Sequence, residues 1–156
     1  MIIYLNNNIN KNNMFEIIRA STIFDYFKIR KIRNSNSQYL TGDIKKLSIF
    51  KQIAFYLLKP NFIDLYLLKN NKQTIGYILY NSKNSMITEV IEVNQRGQGF
   101  ASKGIEFIKQ KYKRKIFAEI KKSNIASIKL HKKNGFVLNE AKGENEIYCY
   151  DPKMIK

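Results

Sequence analysis

The stretch between residues 63 and 93 limits the possible folds of this chain more than any other part of it. Three runs rich in β-branched and aromatic residues, at 63–68, 74–80 and 85–93, are separated only by short polar turns. Such runs predict consecutive antiparallel strands. In the third run both faces carry apolar residues, with Ile87, Ile91 and Val93 on one face and Met86 and Val90 on the other. This predicts a strand inside the sheet rather than at its edge.

Amphipathic segments lie on both sides of these strands. Each repeats apolar residues every three to four positions, as a helix with one buried face does. They are found at 23–32, at 45–58, around 101–112 and at about 124–133. The predicted buried stripe of the second consists of Phe50, Ile53, Ala54 and Leu57, and that of the third consists of Ala101, Ile105, Ile108 and Tyr112.

Further strands are expected at 15–19, 115–120, 136–138 and 146–150. The order of elements is then β-α-α-β-β-β-α-β-α-β-β, without an internal repeat. This order predicts one α+β domain over residues 14–156, with helices flanking a mixed sheet. The Asn-rich residues 1–13 are interpreted as a leader that need not be ordered.

The net charge of +16 raises the question of nucleic-acid binding. Clustered Lys and Arg residues bind phosphates, but the lysines here are spread along the chain, and only five of the 28 basic residues are Arg. The excess of Ile, Asn and Lys is typical of AT-rich coding. A basic nucleic-acid-binding module therefore remains only an alternative to an enzyme, and no nucleic-acid partner is expected.

Cysteine usage and hydropathy bear on the compartment. The single cysteine, Cys149, cannot form an intramolecular disulfide and offers no metal-ligand cluster. No apolar stretch approaches the roughly 18 residues that a membrane-spanning helix needs. We therefore expect a cytoplasmic protein with neither a metal ion nor a membrane partner.

Two motifs carry chemical information. The first, Arg-Gly-Gln-Gly-Phe-Ala at 96–101, lies where the third β-rich run meets a helix. Its glycines allow the backbone to approach an anion, and the helix amino terminus favours a pyrophosphate, although a tight connection has the same pattern. The second motif is a helix that begins at Asn124 and ends at Gly135-Phe136.

In this order and spacing, the two motifs resemble the acetyl-CoA signature of the GNAT superfamily, over about residues 62–138. The resemblance implies the GNAT fold, with a central mixed, mostly antiparallel twisted sheet flanked by about four helices. It also implies an N-acetyltransferase that moves the acetyl group of acetyl-CoA directly to a primary amine. The residues implied to bind acetyl-CoA are Ile91, Val93, Arg96, Gly97, Gln98, Gly99, Phe100, Ala101, Ser102, Asn124 and Ser127.

The expected catalytic residues follow from this resemblance. His131 stands where many relatives have a Tyr that protonates the departing thiolate; an imidazole can do this near neutral pH, and a surface histidine is the alternative. Glu89 and Glu92 are the nearest candidates for the base that deprotonates the amine. Because side chains alternate along a strand, only one should face the acceptor, and we prefer Glu89. The stretch 93–96 lacks the proline common in relatives, which leaves open which amide polarises the carbonyl.

The acceptor is expected near Arg33, Asn34 and Tyr39, a region that resembles sugar N-acyltransferases, as does 118–127. This favours a nucleotide-linked amino sugar, with Arg33 paired to its diphosphate, although an Arg that anchors the first helix fits equally well. A protein amino terminus, a polyamine or another small amine is the alternative acceptor. The protein is expected to act as a monomer or a homodimer.

Overall fold

The computed structural model describes residues 3–4, 14–42 and 45–154. Eight strands form one sheet in the order β1-β2-β3-β4-β5-β6-β8-β7. They are β1 (Ile3–Tyr4), β2 (Phe15–Arg19), β3 (Ile63–Asn70), β4 (Gln73–Asn81), β5 (Met86–Ile91), β6 (Ile116–Lys121), β7 (Val137–Lys142) and β8 (Asn145–Tyr150). The helices are α1 (Ile23–Ser35), α2 (Ile49–Leu58), α3 (Phe100–Tyr112) and α4 (Ile125–Lys133).

All neighbouring strands are antiparallel except β5 and β6, which run parallel. The predicted α+β class and order of elements are confirmed, and β1 is added to them. That short strand lies within the predicted leader and pairs with β2, whereas residues 5–13 lie outside the described residues. Among the described residues, no helix is both long and apolar enough to cross a membrane.

The sheet separates two apolar clusters. On one face α3 packs through Ile105 and Ile108, which are fully buried, as the predicted stripe requires. On the other face α1 contributes Tyr26, Ile29 and Ile32. Each face of the sheet is therefore covered by a helix pair, α3 with α4 and α1 with α2, and burial of these apolar surfaces is the main stabilising contribution to the fold.

The buried stripe predicted for α2 is wrong. Phe50 is 84% exposed and Leu57 is 71% exposed, whereas Phe55 and Tyr56 face inward against the ring of Tyr26. The ring centroids of Tyr26 and Tyr56 are 5.1 Å apart in an edge-on contact. Because apolar residues occupy almost every position of this helix, their spacing does not define one face, and the aromatic partner on α1 determines which side is buried.

The strand β5 lies at the centre of the sheet and has apolar residues on both faces, as predicted. Ile87 and Ile91 belong to the cluster under α3 and α4, and Val90 belongs to the cluster under α1 and α2. Because side chains alternate, Glu89 shares the face of Ile87 and Ile91. Val93, expected on the same face, has already left the strand for a short 3-10 turn at Val93–Gln95.

Candidate active site

The two central parallel strands diverge. β5 is paired with β6 only at Met86 opposite Phe117 and at Ile87 opposite Ala118. Beyond these pairs β6 continues beside β8, and the space next to β5 is left without a strand. The result is a V-shaped gap in the middle of the sheet.

Backbone groups of β5 are directed into this gap. The N–H of Glu92 donates to the carbonyl of Ile75 on β4, at 2.9 Å. Because these groups alternate in direction along a strand, the N–H and C=O groups of Glu89 and Ile91 face the opposite way, toward the gap. The edge of β5 can therefore accept an extended ligand in place of a neighbouring strand.

A cavity of about 450 Å³ occupies the gap and continues between α3 and α4. Its walls come from β5, β6, the amino-terminal turn of α3, the inner face of α4 and the segment after α1. Twelve of the site residues expected from the sequence line it: Tyr39, Glu89, Ile91, Arg96, Gly97, Gly99, Phe100, Ala101, Ser102, Asn124, Ser127 and His131.

The amino terminus of α3 differs from those of the other three described helices. The side chains of Thr22, Ser48 and Asn124 accept backbone hydrogen bonds at the starts of α1, α2 and α4. At α3 the cap is Gly99, with φ 81°, preceded by Gly97 with φ 78°. A Cβ atom at either glycine would have no other atom within 4 Å, so the space before this helix is open. Uncapped N–H groups and the helix dipole suit an anion here.

Glu89 and His131 meet inside the cavity. The imidazole of His131 is 1% exposed, and its Nε2 atom lies 3.5 Å from Oε2 of Glu89, whose side chain is 9% exposed. On the other side of the ring, Nδ1 lies 2.9 Å from the carbonyl oxygen of Ser127, which can only accept. Nδ1 therefore carries a hydrogen, and Nε2 is a buried atom whose nearest polar neighbour is the Glu89 carboxylate.

The protonation of His131 is shifted by these neighbours. Burial lowers the pKa of the imidazole, but the negative charge of Glu89 and the hydrogen bonds to Glu89 and to the Ser127 carbonyl outweigh it, so the pKa is raised. The contact with Glu89 therefore stabilises the protonated form of the imidazole relative to a free histidine. The alternative of a surface histidine is excluded by the burial of this ring.

Five residues expected at the site do not line the cavity. They are Arg33, Asn34, Glu92, Val93 and Gln98. Val93 is 62% exposed because the chain leaves the strand after Ile91. Glu92 is the last residue before that turn, and by the alternation of side chains it points to the opposite face of the strand from Glu89.

Arg33 and Asn34 brace the chain that leads into α2. The amide of Asn34 accepts from the N–H of Leu47, at 2.8 Å, and donates to its carbonyl, at 2.9 Å. Nη1 of Arg33 donates to the carbonyl of Lys45, at 2.9 Å. These two side chains anchor the first helix to residues 45–47, the role that the sequence left open for Arg33.

Within residues 36–41, which we call the strap, the sequence indicated Tyr39 but not Asn36. Asn36 is 1% exposed, with Nδ2 donating to the carbonyl of Ile32, at 2.8 Å, and it lines the cavity together with Tyr39, Leu40 and Thr41 of the strap. From β6, Nζ of Lys121 donates to the carbonyl of Gln38 in the strap, at 2.8 Å. An asparagine after a helix looks like any loop asparagine in sequence, so no local signal points to Asn36.

Comparisons with known proteins agree with this geometry. One similar structure is an N-acetyltransferase from Staphylococcus aureus Mu50, with 25% identity over 91% of this chain and 99% of that chain and a TM-score of 0.69. Another is the ribosomal-protein-alanine N-acetyltransferase from Brucella melitensis, with 18% identity over 86% of this chain and 98% of that chain and a TM-score of 0.68. The protein yncA of Salmonella typhimurium, solved with its cofactor acetyl-CoA, is also similar, with 16% identity over 88% of this chain and 94% of that chain and a TM-score of 0.67. No curated protein sequence matches significantly.

A family model gives the assignment. Residues 29–136, more than half of the chain, match the model described as the acetyltransferase (GNAT) family. The matched region contains the diverging strands, the uncapped start of α3 and the Glu89–His131 pair. The chain therefore belongs to the GNAT family and is an N-acetyltransferase that uses acetyl-CoA.

Proposed function

We propose that the chain acetylates a primary amine that carries positive charge and no phosphate, such as a polyamine or a peptide amino terminus. The observation that carries this proposal is the placement of charge around the gap. Arg33, the cation expected to bind a sugar diphosphate, braces residue 45, and the Arg96 guanidinium is held by Asn36 and Tyr39. The carboxylates of Glu89 and Glu119 line the cavity. Carboxylates attract an ammonium and repel a phosphate.

The geometry supports acetyl-CoA binding along the wall formed by α3 and α4. The uncapped amides of residues 97–102 would hold the pyrophosphate, and the N–H groups of Glu89 and Ile91 with the C=O group of Glu89 would bond the pantetheine as a strand would. Lys129 and Lys133 line the same side of the cavity. Acetyl-CoA supplies an activated acetyl group with a thiolate leaving group. The N–H of Ile91, directed into the gap, is placed to polarise a carbonyl there.

Glu89 is the proposed base. Its carboxylate belongs to the cavity lining beside the imidazole of His131, and its side chain is nearly buried. It would accept a proton from the acceptor ammonium, which makes the nitrogen nucleophilic. Glu92 lies outside the cavity lining and is the weaker candidate.

His131 is the proposed acid. With Nδ1 committed to the Ser127 carbonyl, the proton on Nε2 is the one that can be given to the departing thiolate. The negative charge of Glu89 stabilises the protonated ring before the reaction. Glu89 would thus take up a proton from the amine, and His131 would give one to the thiolate, at neighbouring positions in the cavity.

Glu119 supports the choice of a cationic acceptor. Ile116, Ala118 and Ile120 face the cluster under α3 and α4, so Glu119 points to the other face of the sheet, and it belongs to the cavity lining. Its carboxylate accepts from Nδ2 of Asn145, at 2.7 Å, and can accept further hydrogen bonds. Tyr39, which is 43% exposed, also lines the cavity.

The test is release of free thiol from acetyl-CoA with three acceptors: spermidine, a short peptide with a free amino terminus, and a uridine-diphosphate amino sugar. We expect kcat/KM for the best cationic acceptor to exceed that for the nucleotide sugar by about tenfold or more. Glu119→Gln should raise KM for that acceptor while Arg33→Lys leaves it unchanged. A clear preference for the nucleotide sugar, weakened by Arg33→Lys, would overturn the proposal.

A further inference from the structure

Arg96 lies in the glycine-rich loop, yet its side chain does not face the open space before α3. Its Nη2 atom donates to Oδ1 of Asn36, at 2.5 Å, and its Nε atom donates to the carbonyl of Ile91, at 3.3 Å. The guanidinium carbon also lies 4.5 Å from the ring centroid of Tyr39. One side chain thereby joins the end of β5 to two residues of the strap.

The partners of Arg96 are themselves fixed. Asn36 is buried and bonded to the carbonyl of Ile32 in the last turns of α1, so its Oδ1 atom has a defined position. Tyr39 belongs to the cavity lining and ends the short 3-10 turn of the strap. Since Lys121 bonds Gln38 from the end of β6, the strap is held from both arms of the V-shaped gap.

We infer that Arg96 is a positioning residue for the acceptor: it holds the strap over the gap and connects acceptor binding to the loop that receives acetyl-CoA. This inference rests on the proposed function only in taking the strap side of the gap as the acceptor side. Gly97, whose amide belongs to the pyrophosphate loop, is the next residue in the chain. A shift of that loop is therefore transmitted to Asn36 and Tyr39 through one side chain.

The chemistry requires a guanidinium. A planar fork can donate in two directions and still lie against an aromatic ring, whereas an ammonium is a single point of charge. Arg96→Lys keeps the charge near the loop but cannot hold Asn36, Ile91 and Tyr39 together. It thus separates a positioning role from a general electrostatic attraction for acetyl-CoA.

The experiment measures steady-state kinetics of Arg96→Lys with whichever acceptor the wild-type enzyme uses best, together with calorimetric titration of acetyl-CoA. We expect acceptor KM to rise about tenfold, corresponding to roughly 1.4 kcal/mol, with the acetyl-CoA Kd and kcat within about twofold of wild type. Arg114→Lys is the matched control, because that guanidinium bonds Tyr80 and Ser82 outside the cavity. In the control both constants should stay unchanged.

A second measurement separates the strap from other effects. In a Tyr39→Ala background, where the strap has lost its aromatic contact, Arg96→Lys should raise acceptor KM by much less than tenfold. Full additivity of the two substitutions, or an unchanged acceptor KM in folded Arg96→Lys, would overturn the inference. A weaker acetyl-CoA affinity with unchanged acceptor KM would identify Arg96 as a pyrophosphate ligand instead. Because the acceptor is chosen by turnover, the result does not depend on its being a cation.

Discussion

The two edges of β5 show how this fold makes a binding site. Toward β4 the strand is paired along its whole length, from Met86 to Ile91, and a Cβ atom on Gly76 of β4 would lie 2.5 Å from the carbonyl oxygen of Val90. Toward β6 it is paired at two positions, and then the cavity opens. One edge has no room for a methyl group, whereas the other has room for a substrate.

This difference indicates that the site depends first on missing strand pairing and only then on special side chains. Backbone groups in a protein interior need hydrogen-bond partners, so an unpaired central edge is costly unless water or a ligand completes it. The side chains to which we assign the chemistry, Glu89 and His131, lie where the pairing stops. The following variants test whether ligand binding and turnover depend on residues at the open edge of β5.

The largest effect is expected at the anion end of the open edge. Gly99→Glu should abolish measurable acetyl-CoA binding, because it places a carboxylate and its bulk beside the amides that would hold a pyrophosphate. Gly99→Ala is the control for the left-handed backbone, which costs an L-residue roughly 1 kcal/mol. Calorimetric titration of both folded variants is the measurement. Undiminished affinity in Gly99→Glu would remove this loop from the site.

The next effect concerns the base. Glu89→Gln should lower kcat by about 100-fold, since it preserves the shape of the side chain but cannot accept the ammonium proton. Glu92→Gln, on the opposite parity and outside the cavity lining, should keep kcat within about twofold. Steady-state rates with saturating acetyl-CoA distinguish them. If Glu92→Gln were the more damaging change, the assignment of faces on β5 would be wrong.

A smaller effect is expected at His131. His131→Ala should reduce kcat by roughly 10- to 100-fold without changing acetyl-CoA affinity much, because a thiolate with a pKa near 8.5 can leave without full protonation. His131→Tyr should recover much of the rate. Wild-type turnover in His131→Ala would show that the buried imidazole has only a structural role.

The smallest effect is a pH dependence of stability. Since Glu89 raises the pKa of His131 above its ordinary 6.5, their ion pair contributes stability that is present just below pH 6.5 and is lost as pH rises through the raised pKa. The difference in unfolding free energy between wild type and Glu89→Gln should shrink over that interval. Denaturant unfolding measures it, and NMR of the single histidine gives the pKa itself. A pKa below 6.5 would contradict the ion pair.

Much of the fold could be predicted from local patterns. The stripe of α3 and the strands of the β3–β5 meander follow from spacings within single segments, and the glycine-rich motif fits its structural place. The buried face of α2 could not be predicted, because this helix is apolar almost all round and Tyr26, more than twenty residues away, selects its inner side.

The candidate site was predicted in part. Residues near the loop motif were found because the amides that form it are consecutive in sequence. Arg33 and Asn34 do not line the cavity, and in sequence a polar residue that braces a loop looks like one that binds a substrate. The contact between Asn36 and Arg96 spans sixty positions, and the divergence of β5 from β6 depends on strand pairing between distant segments. Neither has a local signal.

The central claim is that acetyl-CoA occupies the open edge of β5, and backbone amide hydrogen exchange followed by NMR tests it most directly. On saturation with acetyl-CoA, the amides of Glu89, Ile91 and residues 97–102 should exchange more slowly, because the ligand supplies their missing partners. The amide of Glu92, already bonded to Ile75, should hardly change. Unaltered exchange at both Glu89 and Ile91 with the ligand bound would contradict the account.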